Sequence, residues 1–69
     1  MTKEEFLPII EAAIDSGFRK CYFANGNSSM FSKGKIYFNI TGIYEYKKWQ
    51  FLKVAECTKE NLQKIGVGI

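Results

Sequence analysis

The spacing of apolar residues changes period at Gly17, and this change constrains the fold more than any other feature of the chain. Before it, Phe6, Ile10, Ala13 and Ile14 recur at helical spacing, with Leu7 and Ile9 widening the stripe. Thr2-Lys3-Glu4-Glu5 has the form of a capping box, in which Thr2 and Glu5 satisfy each other's free amides. Gly17 suits the left-handed position that ends a helix. The pattern predicts a helix over about residues 3–16. Pro8 inside it removes an early hydrogen bond and crowds the carbonyl of Glu4, so a later start or a bend is expected there.

From Phe18 onward the pattern is that of strands. Phe18–Ala24 is rich in rings, and Asn25-Gly26 is the preferred pair for a type I′ turn. Asn27–Ser32 reads as a short polar edge segment or a loop, and Lys33-Gly34 as a second turn. Lys35–Tyr46 is the longest strand candidate, with Gly42 marking a bulge or bend; a competing reading turns at Thr41-Gly42. Tyr46-Lys47-Lys48-Trp49 is the next expected turn, with no glycine to support it, and Trp49–Glu56 closes the sheet. Thr58 is placed to cap a short helix, Lys59–Ile65, with Leu62 and Ile65 inward. The expected fold is α+β: one domain over residues 1–69, an antiparallel three- to four-stranded sheet, and an N-terminal helix and short C-terminal helix on one face.

At 69 residues such a domain lies near the lower limit for folding without staples. Its rings compensate, since large aromatics give a small core more buried area per residue. Ten of the aromatics lie between Phe18 and Val54, together with seven bases and one acid, or +7 − 1 = +6. Residues 1–15 carry Lys3 against Glu4, Glu5, Glu11 and Asp15, or +1 − 4 = −3. The total of +3 thus combines an acidic helix with a basic, aromatic sheet, a surface suited to binding a partner. Self-association is a natural remedy for marginal stability, so a homodimer belongs among the expectations.

The first fifteen residues place acids where a secretion signal needs bases, and no apolar run approaches the ~20 residues of a membrane span. A cytoplasmic protein without membrane contact is expected, and in that compartment Cys21 and Cys57 stay reduced. Asn27-Ser28-Ser29 and Asn39-Ile40-Thr41 then read as chance matches to the glycosylation sequon.

The chain has no histidine, which removes the commonest general base, the commonest metal ligand and every Ser-His or Cys-His arrangement. Two cysteines cannot complete a structural zinc site. Gly66-Val67-Gly68 lacks the third glycine and following helix of a phosphate loop. The expectation is a protein that is not an enzyme and uses no cofactor or metal. Cys21, beside Arg19 and Lys20, reads as a small buried hydrophobe ahead of a reactive thiolate. Cys57, just before a helix, reads as a connector ahead of a thiol activated by the helix dipole.

Two groups of residues stand out as candidate contacts. Glu4, Glu11 and Asp15 fall within a narrow arc of the first helix, a face that reads first as solvated and second as an acidic docking strip. In the last strand, Leu52 and Val54 alternate with Trp49, Phe51, Lys53 and Ala55; in the long strand, Ile36, Phe38 and Ile40 oppose Tyr37, Asn39 and Thr41. If helices cover Ile36, Phe38, Leu52 and Val54, then Tyr37, Trp49 and Phe51 face away beside Lys47, Lys48 and Lys53. The reverse assignment makes Trp49 and Phe51 core, because a strand apolar on both sides does not declare its faces.

The element order helix–three strands–helix resembles the double-stranded-RNA-binding domain, which would imply phosphate contacts from the start of the second helix. That family opens this helix with lysines, whereas Thr58-Lys59-Glu60-Asn61 offers one lysine beside an acid. The Gly-x-x-Gly loop of KH domains is missing. In length and lack of catalytic groups the chain is similar in type to small phage-encoded inhibitors of host proteins, a likeness no motif carries. The leading expectation is an inhibitor or accessory factor that binds another protein through Tyr37, Lys47, Lys48, Trp49, Phe51 and Lys53; the alternative is a nucleic-acid-binding module using the same face.

Overall fold

A computed structural model describes residues 1–21 and 30–69. Helix α1 spans Lys3–Asp15. Strands β1 (Arg19–Cys21), β2 (Met30–Lys33), β3 (Ile36–Asn39), β4 (Gly42–Lys47) and β5 (Gln50–Ala55) follow, and helix α2 spans Lys59–Lys64. The strands form one open antiparallel sheet in the order β1-β2-β3-β4-β5, a meander with β1 and β5 at its edges. The α+β class and the placement of both helices agree with the sequence reading, while among the described residues the sheet has five strands where three or four were expected.

The capping box forms: Glu5 N–H donates to Thr2 Oγ1 at 3.1 Å and Thr2 N–H to Glu5 Oε1 at 3.3 Å. Bonds from Thr2 hold the Glu5 carboxyl below its ordinary pKa. The helix does not start late: it begins at Lys3 and runs through Pro8. Both helices end alike. Gly17 and Gly66 take positive φ, and the next residue folds back, Phe18 N–H to Ala13 O and Val67 N–H to Leu62 O, each at 3.0 Å. This is the Schellman arrangement, and it delivers Phe18 and Val67 into the core.

The expected long strand Lys35–Tyr46 is two strands, divided at Ile40-Thr41, close to the competing reading. Asn39 Oδ1 accepts both the Thr41 N–H (2.8 Å) and the Thr41 hydroxyl, so an Asx turn substitutes for the missing glycine. Asn27–Ser32 is corrected in part: its last residues belong to β2, an interior strand that buries Met30 and Phe31. The expected Asn25-Gly26 turn lies outside the described residues.

The core gathers Phe6, Ile9 and Ala13 from α1, Phe31, Phe38 and Ile43 from one face of β2–β4, Leu62 from α2, and Phe18, Cys57 and Val67 from the connections. Phe38 is its centre, with Phe18 edge-on at 5.3 Å and Phe31 and Phe6 at 5.5 and 6.0 Å. Helix cover stops short of β5. Leu52 and Val54, expected to pack under the helices, remain 42% and 54% exposed. Helices of 13 and 6 residues are ~20 and ~9 Å long. They cannot blanket a five-stranded sheet ~24 Å wide. Val54 also stands in a register irregularity: Tyr44 faces Lys53 while its neighbour Ile43 faces Ala55, which returns Ala55 to the core side.

Candidate interaction surface

Register fixes which side chains share the face turned away from the helices. Phe31, Phe38 and Ile43 are core, so the alternating set Tyr37, Tyr44, Tyr46, Phe51 and Lys53 lies on the opposite face. Three of these rings cluster. Phe51 meets Tyr37 edge-on at 4.9 Å and Tyr46 at 5.0 Å, and Tyr37 and Tyr46 are 6.4 Å apart. Tyr46 and Phe51 stand directly opposite across β4 and β5. Beside them the Tyr44 hydroxyl and Thr41 Oγ1 share a hydrogen bond of 2.8 Å. Tyr37 and Phe51 thus occupy the face expected from alternation, and the reverse assignment fails for them.

Lys53 shares this face, but its charge is engaged. Its Nζ lies 3.1 Å from both carboxylate oxygens of Glu56. Its stem runs inward across the sheet: a Cβ placed on Gly42 would come within 2.7 Å of Lys53 Cε and 3.2 Å of Ala55 O. Gly42 is therefore a site of close approach, as well as the first residue of β4.

Trp49, expected both as the last residue of a Tyr46–Trp49 turn and as the first of the closing strand, belongs to the turn alone. It does not lie in β5 beside Phe51 but at the tip of the β4–β5 hairpin, 90% exposed. Lys48 and Trp49 are the two central residues of a turn closed by Lys47 and Gln50, with φ of 52° and 66°. Positive φ at both positions is the requirement of a type I′ turn, usually met by Asn-Gly. A β-unbranched but bulky ring in the left-handed region is strained by ~1–2 kcal/mol. Lys35, Glu45, Tyr46, Lys47, Lys48 and Trp49 line a shallow depression of about 530 Å³ at this end of the sheet. Three of its six lining residues are lysines, so the tip joins an exposed indole to positive charge.

The acidic strip stands apart. Glu4, Glu11 and Asp15 are exposed on α1, which turns Phe6, Ile9 and Ala13 to the core. The chain's two charge groups are thus borne by different elements, and the structure does not bring them together into one site. Lys33, counted with the sheet's positive charge, closes α1 instead: its Nζ donates to Ser16 O at 2.9 Å and lies 5.7 Å from the Phe18 ring centre.

Among the described residues no three His, Cys, Asp or Glu side chains converge as metal ligands would. Both cysteines are free thiols. Burial pushes the Cys57 thiol above its ordinary pKa, the opposite of activation by the adjoining helix. Cys21 is half-buried, with Sγ 3.4 Å from Met30 O. Among the described residues no helix is long and apolar enough to cross a membrane. What sequence reasoning missed is the exposure of Leu52 and Val54 and the strain at Lys48-Trp49; the absence of Asn or Gly at an expected two-residue turn was the available signal for the second. No protein-family model, curated protein or solved structure matches the chain.

Proposed function

We propose that this chain is a small cytoplasmic protein that catalyses no reaction and works by binding another protein, as an inhibitor or accessory factor, through the hairpin tip and the adjoining face of β3–β5. The observation that carries this reading is Trp49. An indole is 90% exposed to water and held at a positive φ where glycine or asparagine would be relaxed. Two unfavourable terms coincide at one residue, and strain of this kind concentrates at functional positions. Trp and Tyr are also the residues in which interface energy concentrates, because they combine large area with few rotatable bonds. Tyr46 joins Trp49 in the lining of the depression, and Lys35, Lys47 and Lys48 surround it as a charged rim. An acidic, apolar-centred patch on the partner fits such a surface.

Capture from the source cell with the full chain, before and after nuclease treatment, tests the reading. A saturable protein partner that survives nuclease and is lost with Trp49→Ser supports it; capture insensitive to Trp49→Ser overturns it. The second reading, nucleic-acid binding, draws on the same three lysines beside a stacking ring. It is weakened by Glu45 in the same depression and by the commitment of Lys33 and Lys53 to other contacts. Binding to an oligonucleotide should be weak and vanish near ~150 mM salt; sub-micromolar affinity there would reverse the order of the two readings.

A further inference from the structure

We infer that β5 is a homodimerisation strand, pairing antiparallel with β5 of a second copy about a two-fold axis through Leu52. This deepens the protein-binding reading and rests on it, naming a second copy of this chain as a partner and β5 as its place of attachment. The strand is the last in the sheet order, so no described strand lies beyond it. Tyr46 donates its N–H toward β3, to Lys35 O at 3.1 Å. The amides of Glu45 and Lys47 therefore face β5, and Leu52 and Gln50 are the hydrogen-bonded partners across that ladder. By alternation Lys53 directs its N–H and C=O to the outer edge.

Edge strands are normally guarded by an outward lysine. The lysine of β5 is a weak guard, because its stem is folded inward over Gly42 and its ammonium is paired with Glu56, although two such lysines set face to face would still repel. The side chains flanking it are apolar and open: Leu52 on the helix side of the sheet, with Val54 beyond it, and Trp49 at the turn. Trp49 alone offers ~200 Å² of surface. That is about a quarter of the ~800 Å² that each partner contributes to a standard interface. Half-exposed Leu52 and Val54 and the length of the strand edge extend it.

Symmetry selects the register. Two antiparallel strands in one sheet are related by a two-fold normal to the sheet, and residues opposite each other share a face, so the axis passes through a residue. An axis at Lys53 places two ammonium groups directly opposite, which is unfavourable. An axis at Phe51 sets Val54 against Lys48, within the turn of the second copy. An axis at Leu52 sets Leu52 against Leu52, Phe51 against Lys53 and Gln50 against Val54, using the whole regular part of the strand with no like charges opposed. The product is a continuous ten-stranded sheet with an apolar contact on the axis.

Sedimentation equilibrium of the full chain at about 1–100 µM tests this. The wild type should be a dimer in that range. Leu52→Glu and Leu52→Lys each place like charges on the axis and should weaken dimerisation at least ~10-fold, while their equimolar mixture should restore it as a heterodimer. Far-UV circular dichroism should show each variant folded, since Leu52 is not a core residue. A wild type that is monomeric at ~100 µM overturns the inference, as does a dimer indifferent to both substitutions. A monomer that still captures a protein through Trp49 removes the dimer and leaves the broader reading standing, which separates the two.

Discussion

Phe38 and Phe51 are rings of the same sheet, and their surroundings differ almost completely. Phe38 on β3 is enclosed by Phe6, Phe18 and Phe31, with α1 above it. Phe51 on β5 packs against Tyr37 and Tyr46 on the other face and keeps 37% of its surface in water. The contrast extends to whole regions. The β2–β4 part of the sheet buries one face beneath both helices, whereas no residue of β5 is fully buried. Composition does not distinguish these regions, since both are rich in rings and aliphatics. Helix reach does: an apolar residue beyond it remains at the surface unless something else meets it.

Truncating the two rings gives the widest separation. Phe38→Ala should lower the unfolding free energy by ~3–5 kcal/mol, the usual effect of deleting a core ring. Phe51→Ala should lower that of the monomer by under ~1.5 kcal/mol. Urea titration of both variants measures the difference; equal losses would mean that the β5 face is as well enclosed as the core and would erase the contrast.

The hairpin tip should respond in the opposite direction. Lys48→Asn/Trp49→Gly supplies the relaxed residues for a type I′ turn and removes an exposed indole. Relief of ~1–2 kcal/mol of strain per residue sets the upper bound on the stability gained, and partner capture should be lost at the same time. A variant that is both less stable and still competent in capture would show that the turn is neither strained nor functional.

A smaller, pH-dependent effect belongs to the covered region. Burial raises the Cys57 pKa in the fold, so the protonated thiol favours the folded state. That contribution is complete below the unfolded pKa of ~8.5 and declines as pH rises from there through the folded value. The midpoint of urea unfolding should therefore fall between about pH 8 and 10, and less so in Cys57→Ala. An identical slope in the variant would assign the alkaline loss to other groups.

The sequence revealed most where structure is decided by neighbouring residues. The Thr2–Glu5 box, the Gly17 terminus and the Thr58 cap each depend on a few adjacent positions, and all three form. The β3–β4 turn was less legible because its organising bond comes from the Asn39 side chain instead of a glycine at the bend. Alternation correctly grouped Tyr37, Phe51 and Lys53 on one face. It also grouped Ala55 with them, which the irregularity at Val54 prevents. The turn expected over Tyr46–Trp49 forms one residue later, over Lys47–Gln50, because without Asn or Gly no residue there marks the two left-handed positions. The exposure of Leu52 and Val54 depends on how far two helices extend across five strands, a distance that no local pattern encodes.

The end of α1 has a further consequence for the order of assembly. Ser16 Oγ accepts the Gly68 N–H at 2.9 Å, and Lys33 Nζ reaches the carbonyl of the same serine. The β2–β5 meander joins strands that are sequence neighbours through two-residue turns, so its pairings close small loops. The Ser16–Gly68 contact spans 52 positions and closes a far larger one. Loop-closure entropy grows with the logarithm of that length. Loop-closure entropy therefore favours hairpins that form while the segment after α2 is still undocked, with Val67 joining the core afterwards. On that sequence of events the last segment acts mainly on the unfolding rate: it is a latch on a finished sheet and not part of the nucleus that forms it.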